Sequence, residues 1–334
     1  DCNTGGETMA ELREILGLWK RASAAGEDVC LGTVVGIEGS AYRRPGARML
    51  LTSGGQRAGT VSGGCLEAEI AKKAWWLTEK GPAIQRYSSF FDDDGDMPYG
   101  LGCGGTVIVL LERGEPAAHC LEALRRSAEA RTASVVVTAT DASRGAGTRL
   151  IVNAAGETVY ARNAARELEQ LARDATVTRS SRNVPGFFVE WVAPPPAMTI
   201  FGAGDDARPL VEFGDTLGWY VTVADGRANL ARAERFPQAA QVGGVEAALT
   251  ALTPDDAVVV MTHSYEQDRA ILLGLLAQEL RYIGVLGPRA RTERLVHEVA
   301  RELGLEAEGC LGRLHSPVGM DLGGHAPASV ALSI

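Results

Sequence analysis

One stretch decides the fold of the second half of the chain: MTIFGAGDDARPL, residues 198–210. An apolar run that ends at Gly202 predicts a buried strand, and the pattern from about residue 206 to 217 predicts a helix directly after it. The turn between them, GAGDDA at 202–207, has the glycine spacing of a strand–turn–helix unit that receives nucleotide phosphates. We therefore predict a Rossmann-like βαβ unit that starts at Met198.

The remainder of this half repeats the alternation of strands and helices. Further strands are predicted at 220–224, 257–261 and 282–286, with helices near 267–277 and 289–303. This order predicts a parallel sheet with right-handed crossover helices. The predicted fold class is α/β, with a Rossmann-like doubly wound domain at residues 198–334.

Four residues of this domain are candidates for nucleotide binding. Gly202 permits a tight turn, Gly204 lets the backbone approach a pyrophosphate, and Ala207 is the third small residue, against the sheet. Asp225 follows the second strand, where a carboxylate binds the ribose of a nucleotide without a 2′-phosphate. Together they predict NAD(P) or another nucleotide as a ligand.

Two further candidates, His263 and Arg289, follow the later strands, at the sheet edge where open α/β proteins bind ligands. The alternatives are a packing or capping histidine and a solvent-facing arginine. Asp205 and Asp206 put two negative charges at the mouth of the turn, where they also suit the helix dipole. A Rossmann-like scaffold that does not bind NAD is therefore an open alternative.

Composition places the chain among ordinary globular proteins. It has 334 residues, 46% of them hydrophobic, and a net charge of −9, so no basic face for nucleic acid is expected. No run approaches the roughly 20 apolar residues of a membrane helix, and no signal-peptide pattern is visible. We predict a cytoplasmic protein without a membrane segment. Residues 1–8 are expected to be a leader or a frayed tail.

Three consecutive prolines at 194–196 predict an extended spacer between two domains, at residues 9–193 and 198–334. The first domain is predicted to be mixed α+β, and no internal repeat is visible in its sequence. A helix is expected at 9–24, followed by strands at 30–37 and 49–52 and a helix at 66–80. Strands at 106–111 and 134–138 are expected on either side of a helix near 119–129.

Two glycine-rich loops of the first domain carry cysteines. In SGGCLE, residues 62–67, Cys65 stands at a predicted helix N-terminus, which favours the thiolate. In GLGCGG, residues 100–105, Cys103 is surrounded by flexible, uncrowded backbone. The alternative for either cysteine is a small buried hydrophobic residue. No metal site is predicted, because histidines and cysteines are dispersed and the acidic run 92–96 lacks the glutamate that closes a calcium loop.

An arginine-rich turn, YRRPGAR at 42–48, supplies Arg43, Arg44 and Arg48. Guanidinium groups bind phosphate or carboxylate in a bidentate manner, so these three arginines are candidate ligand contacts. A solvated basic loop is the alternative.

In combination, GSAYRRPGARM (39–49), SGGCLE (62–67) and GLGCGG (100–105) resemble the XdhC/CoxI family of maturation factors for molybdenum hydroxylases. The second half agrees through FGAGDDARPL (201–210), MTHSYEQD (261–268), YIGVLGPR (282–289) and SPVGMDLG (316–323), which resemble the Rossmann domain of that family. Members assigned to xanthine dehydrogenase often carry His where Cys65 stands, so the chain looks nearer the carbon monoxide dehydrogenase branch. Relatives usually continue a helix beyond the position of Ile334, so a truncated last element is expected.

The resemblance implies a protein that binds molybdenum cofactor, assists its sulfuration with a cysteine desulfurase, and helps insert it into a molybdenum hydroxylase such as xanthine dehydrogenase or carbon monoxide dehydrogenase. The cofactor's phosphate would meet the arginine turn, while Cys65 or Cys103 would touch molybdenum or accept persulfide sulfur. This describes a non-catalytic chaperone, for which we also predict a homodimer. The alternatives are an NAD(P)-dependent oxidoreductase and a nucleotidyltransferase.

Overall fold

In a computed structural model, which describes residues 5–88 and 105–334, the chain divides into two units. The N-terminal unit is Glu11–Pro194, and the C-terminal unit is Pro195–Ile334 together with residues 5–10. The division falls within the proline run at 194–196, whose fixed φ angles and missing N–H groups keep the segment out of helix and sheet. Within the described ranges, no helix is both long and apolar enough to span a bilayer.

The N-terminal unit is built from four helices and ten strands among its described residues. The helices are α1 (Gly5–Ala25, of which residues 11–25 belong to this unit), α2 (Cys65–Leu77), α3 (Glu115–Ala130) and α4 (Arg166–Thr178). The strands are β1 (Val29–Gly39), β2 (Arg48–Thr52), β3 (Arg57–Gly59), β4 (Ala83–Ser88), β5 (Gly105–Arg113), β6 (Ser134–Ala139), β7 (Arg149–Asn153), β8 (Thr158–Arg162), β9 (Arg182–Val184) and β10 (Phe187–Val192). Helix α1 begins earlier than the predicted residue 9, so part of the segment expected to be a tail is helical.

The two halves of this unit repeat one topology. The first five strands form an antiparallel sheet in the order β3-β2-β1-β5-β4, and the second five form another in the order β8-β7-β6-β10-β9. A helix precedes each sheet, α1 or α3, and a second helix follows its third strand, α2 or α4. The absence of an internal repeat in the sequence was therefore misleading, because the repeat lies in the topology and not in the residues.

Two buried ion pairs cross between the halves. Arg48 begins β2 and binds Glu190 of β10 through Nη1 (2.9 Å) and Nη2 (2.5 Å). Arg149 begins β7 and lies 2.7 Å from Glu112 of β5. The arginines occupy equivalent positions in the two sheets, as do the glutamates. Each half therefore neutralises a buried charge of the other, which an apolar interior requires.

Apolar side chains fill the space around each sheet. Helix α2 packs on one face of the first sheet, and α4 packs on one face of the second. A smaller cluster joins the two sheets and consists of Val35, Ile108, Leu110 and Phe188.

The C-terminal unit contains a single six-stranded parallel sheet among its described residues. Its strands are β11 (Ala197–Phe201), β12 (Tyr220–Ala224), β13 (Gln241–Gly243), β14 (Ala257–Val260), β15 (Tyr282–Val285) and β16 (Leu314–His315). Its helices are α5 (Ala207–Thr216), α6 (Val245–Ala251), α7 (Tyr265–Leu276), α8 (Arg289–Leu303), α9 (Ala307–Gly312) and α10 (Pro327–Ser333).

The strand order of this sheet is β13-β12-β11-β14-β15-β16, with every pair parallel. Counted from β11, that order is 3-2-1-4-5-6, the order of a dinucleotide-binding Rossmann sheet. The predicted α/β fold class is confirmed. The order reverses between β11 and β14, and ligands of open α/β sheets bind at the carboxyl ends of the strands on either side of such a reversal.

Candidate functional site

The first glycine–cysteine loop is held by a buried carboxylate. The backbone places Cys65 as the first residue of α2. Glu67 accepts hydrogen bonds from the N–H groups of Val61 (3.0 Å) and Ser62 (2.8 Å) and from the Ser62 hydroxyl (2.6 Å), which itself accepts from the N–H of Leu66 (3.1 Å). Burial favours the neutral form of Glu67, but these hydrogen bonds outweigh it and hold its pKa below the usual value. The loop before α2 is therefore fixed by an ionised glutamate.

The arginine turn meets this loop. Tyr42 is 75% exposed, and its ring lies against Gly63, where an added Cβ would be 3.9 Å from the ring. Arg43 is bound to Glu11 of α1. Arg44 is exposed, and its side chain has no hydrogen-bond or ion-pair partner among the described residues. The structure thus brings Tyr42 of the arginine turn beside Gly63, two residues before Cys65, and leaves the guanidinium of Arg44 unpaired within the described ranges.

Arg48 points elsewhere. It is 6% exposed, and besides Glu190 its Nη1 donates to the carbonyl of Gly46 (2.8 Å). Gly46 has φ +98°, and an added Cβ would lie 2.9 Å from Glu190, so the turn into β2 leaves room only for glycine. These contacts make Arg48 part of the interior of the unit. Cys103 and its loop lie outside the described residues.

In the C-terminal unit, the glycine turn passes very close to the neighbouring strand. Gly202 has φ +128°, and an added Cβ would overlap the carbonyl of Met261, which follows β14. Its N–H donates to the carbonyl of Ala224, at the end of β12 (2.8 Å). Glycine is therefore required here by backbone packing at the point where the strand order reverses.

A carboxylate fills the space beside the second glycine. Asp206 stands at the N-cap position of α5 without bonding to its own helix, and its Oδ1 occupies the room that a side chain at Gly204 would need. Its Oδ2 lies 2.6 Å from Nε2 of His263, which follows β14 and has a left-handed backbone with φ +59°. His263 is 63% exposed. The structure thus joins Asp206 and His263 between the carboxyl ends of β11 and β14.

Asp225 is also engaged. It is buried and accepts hydrogen bonds from the N–H of Ala203 and from three N–H groups of Arg227. Burial favours the neutral acid, but these bonds outweigh it and keep the pKa of Asp225 below its usual range. Asp225 therefore remains a carboxylate that ties the glycine turn to the loop after β12. Ala207, the third small residue of the turn, is buried at the start of α5.

Arg289 lies at the first position of α8 and is 78% exposed, paired with Glu293 one turn on (2.9 Å). A neighbouring cation is more deeply placed. Arg291 lies 2.7 Å from the buried Asp268, which also accepts from the hydroxyl of Thr262 (2.5 Å). The carboxyl edge near β14 and β15 is thus organised by Arg291, while Arg289 binds along its own helix.

Both units match models of one protein family. Residues 22–88 match the XdhC and CoxI family, and residues 198–334 match the XdhC Rossmann domain. A Bacillus subtilis (strain 168) protein named as a probable xanthine dehydrogenase subunit is 31% identical over 92% of this chain and 91% of its own length. The chain belongs to the XdhC and CoxI family.

Two further proteins are similar to this XdhC and CoxI family member over nearly its whole length. The molybdenum cofactor insertion chaperone PaoD of Escherichia coli (strain K12) is 25% identical over 96% of this chain and 86% of its own length. A crystal structure of a xanthine dehydrogenase from Bacillus halodurans has a TM-score of 0.76 and 29% identity, covering 96% of this chain and 93% of that one. The resemblance inferred from the loop motifs is confirmed.

Three side chains that hold the candidate loops of this XdhC and CoxI family member in place were not predicted from the sequence as site residues. Glu67 stands at the third position of α2, where a carboxylate can reach back to free N–H groups, and that spacing was a usable signal. Arg227 stands two residues after Asp225, so a cation beside the carboxylate was also visible in the sequence. The sequence around Asp268 gave no sign of its ion pair with Arg291, because only the fold brings the two side chains together.

Proposed function

We propose that this protein is a maturation factor that holds molybdenum cofactor, assists its sulfuration and helps insert it into a molybdenum hydroxylase such as xanthine dehydrogenase or carbon monoxide dehydrogenase. The observation that carries the proposal is the apposition of the arginine turn and the glycine–cysteine loop in the N-terminal unit. The end-to-end similarity to the chaperone PaoD supports the same role. We propose a cysteine desulfurase and a second copy of the chain as partners, and a cytoplasmic location.

The two loops supply chemistry that suits this cargo. Arg44 offers an unpaired, exposed guanidinium for the phosphate of the pterin. Its neighbour Arg43 could also bind the phosphate if its ion pair with Glu11 breaks. The place of Cys65 at the first position of α2 makes it a candidate thiolate, because a helix N-terminus favours the thiolate form, and Cys103 is a second candidate. A thiolate there would attack the outer sulfur of a desulfurase persulfide, and the sulfur–sulfur bond would break with the desulfurase thiolate leaving.

Cofactor binding is tested by incubating the purified full chain with molybdenum cofactor and measuring protein-bound molybdenum after gel filtration. Cys103→Ala and Arg44→Gln are expected to weaken retention, and Cys65→Ala is expected to weaken retention or sulfur transfer. Cys310→Ala, a buried cysteine of the other unit, and Arg57→Gln, another exposed arginine, are the matched controls. Unchanged retention in Cys103→Ala would remove that residue from the proposal, and no retention by the wild type would end the proposal.

A second role, nucleotide binding at the carboxyl edge of the C-terminal sheet, is favoured by the 3-2-1-4-5-6 strand order and the glycine turn. Gly202, Gly204, Ala207 and Asp225 would form the turn and its support, with His263 as the group facing the phosphates. The residues fit a nucleotide if Asp206 moves away from Gly204. The alternative function is catalysis of hydride transfer. This alternative is rejected if the protein does not oxidise NADH in the presence of aldehyde or purine substrates.

A further inference from the structure

The carboxylate of Asp225 has no acceptor position left for a ribose hydroxyl. A carboxylate offers about four lone-pair positions. They are met by the N–H of Ala203 (2.8 Å) and by three groups of Arg227: its backbone N–H (2.8 Å), Nε (2.9 Å) and Nη2 (2.7 Å). A ribose diol would have to displace Arg227 before it could bind Asp225.

Arg227 presents the donors that remain unused at this position. Its Nη2 also donates to the carbonyl of Thr262 after β14 (3.2 Å), so the guanidinium is held at two sides. Its Nη1 has no partner among the residues that the structure describes, and the side chain is 41% exposed. A guanidinium fixed in this way gives an anion a ready-made pair of N–H groups and loses little conformational freedom on binding.

A second unsatisfied group lies beside the same loop. Oε1 of Gln267, in the first turn of α7, is buried and accepts no hydrogen bond from any described residue. An added Cβ at Gly226, between Asp225 and Arg227, would lie 3.4 Å from this oxygen. A buried carbonyl oxygen without a donor is unfavourable, and the amino group of an adenine ring is a donor that would satisfy it.

We infer that the loop after β12 binds an adenine nucleotide whose ribose carries a 2′-phosphate, with Nη1 of Arg227 donating to the phosphate and Oε1 of Gln267 accepting from the base. Asp225 is a positioning residue that holds Arg227 and the glycine turn. This reverses the expectation from the sequence, in which Asp225 itself bound an unphosphorylated ribose. The inference rests on the nucleotide role proposed above and specifies the nucleotide.

The preference for a 2′-phosphate is measured by isothermal titration calorimetry of the full chain with adenosine 2′,5′-bisphosphate and with 5′-AMP. Hydrogen bonds to a charged group should make the bisphosphate bind about 10- to 100-fold more tightly. Arg227→Gln should remove this preference. Arg232→Gln is the matched control, because Arg232 lies in the same segment but pairs with Glu234 at the surface (3.3 Å), and it should keep the preference.

Gln267→Met, of similar size, should weaken both ligands to the same extent. If 5′-AMP binds as tightly as the bisphosphate, or if Arg227→Gln keeps the preference, the inference is wrong while the nucleotide role stands. If neither ligand binds, both the nucleotide role and the inference are wrong. The wild-type comparison decides the question even if a variant fails to fold.

Discussion

The buried pair Arg48–Glu190 leads to a quantitative prediction about stability. Arg48→Met leaves the carboxylate of Glu190 without its partner at a site where both side chains are less than one-tenth exposed. Two unit charges about 3 Å apart attract by roughly 5 kcal/mol at an effective dielectric constant of 20. Since desolvation offsets part of this, breaking the pair should lower the free energy of unfolding by about 3–5 kcal/mol.

The double variant Arg48→Met/Glu190→Leu should recover most of that loss, because a buried apolar pair of similar volume is often as stable as the ion pair that it replaces. Urea unfolding followed by tryptophan fluorescence measures the effect, since four of the five tryptophans lie in the N-terminal unit. Arg86→Met is the control: Arg86 pairs with Glu38 at 2.6 Å, but both side chains are more than half exposed. That change should cost less than about 1 kcal/mol.

The reasoning would be refuted if Arg48→Met cost no more than the surface control, or if the double variant lost as much stability as the two single variants together. Either result would mean that the Arg48–Glu190 ion pair does not stabilise the protein as described. Arg48 would then again be a candidate for binding the phosphate of the cofactor, together with Arg44. A large loss with recovery in the double variant would separate Arg48, as a residue of the interior, from the exposed arginine of the turn.

Three further predictions follow from the site geometry. Glu67→Gln should lower the free energy of unfolding by about 1–3 kcal/mol at pH 7. Because the pKa of Glu67 is lowered in the folded state, this loss of stability should be complete above the unfolded-state pKa of about 4.3 and should fade as the pH falls through the folded-state pKa. Urea unfolding at several pH values measures this dependence. Asp206→Asn should raise the affinity for nucleotide diphosphates about tenfold in calorimetry, since it removes a negative charge beside Gly204; unchanged affinity would count against a phosphate site there. Gly202→Ala should destabilise the protein by more than about 3 kcal/mol in thermal unfolding, whereas Gly243→Ala, with no atom within 4 Å of the added Cβ, should change stability by less than about 0.5 kcal/mol.

The C-terminal unit was predictable from its sequence because its elements are local. Each strand–helix–strand unit consists of consecutive residues, so the change from a short apolar run to a helical period marks the longer strands and helices. Strand β12 and helix α8 have the bounds that the pattern predicted. The pattern missed the short strands β13 and β16 and the short helices α6, α9 and α10, since segments of two to seven residues are too short to show a clear period.

The N-terminal unit was not predictable to the same depth because its pairings are distant. Strand β1 pairs with β5 across more than 60 intervening residues, and no local pattern records which strands meet. The chemistry-bearing loops were visible as motifs, but their partners were not. Arg48 and Glu190 are separated by 142 positions, so the sequence showed a free arginine where the fold provides a carboxylate.

The repeated topology and its crossed ion pairs make the N-terminal unit resemble a homodimer fused into one polypeptide. In a two-fold symmetric dimer each protomer offers the same residue to the other, as Arg48 and Arg149 do here. Because both copies lie in one chain, they need not associate, and their sequences can differ. Ser-Gly-Gly at 62–64 precedes α2, which opens with Cys65, whereas Asn-Ala-Ala at 163–165 precedes α4, which opens with Arg166. The glycine–cysteine loop is thus present in the first copy and absent from the equivalent place in the second.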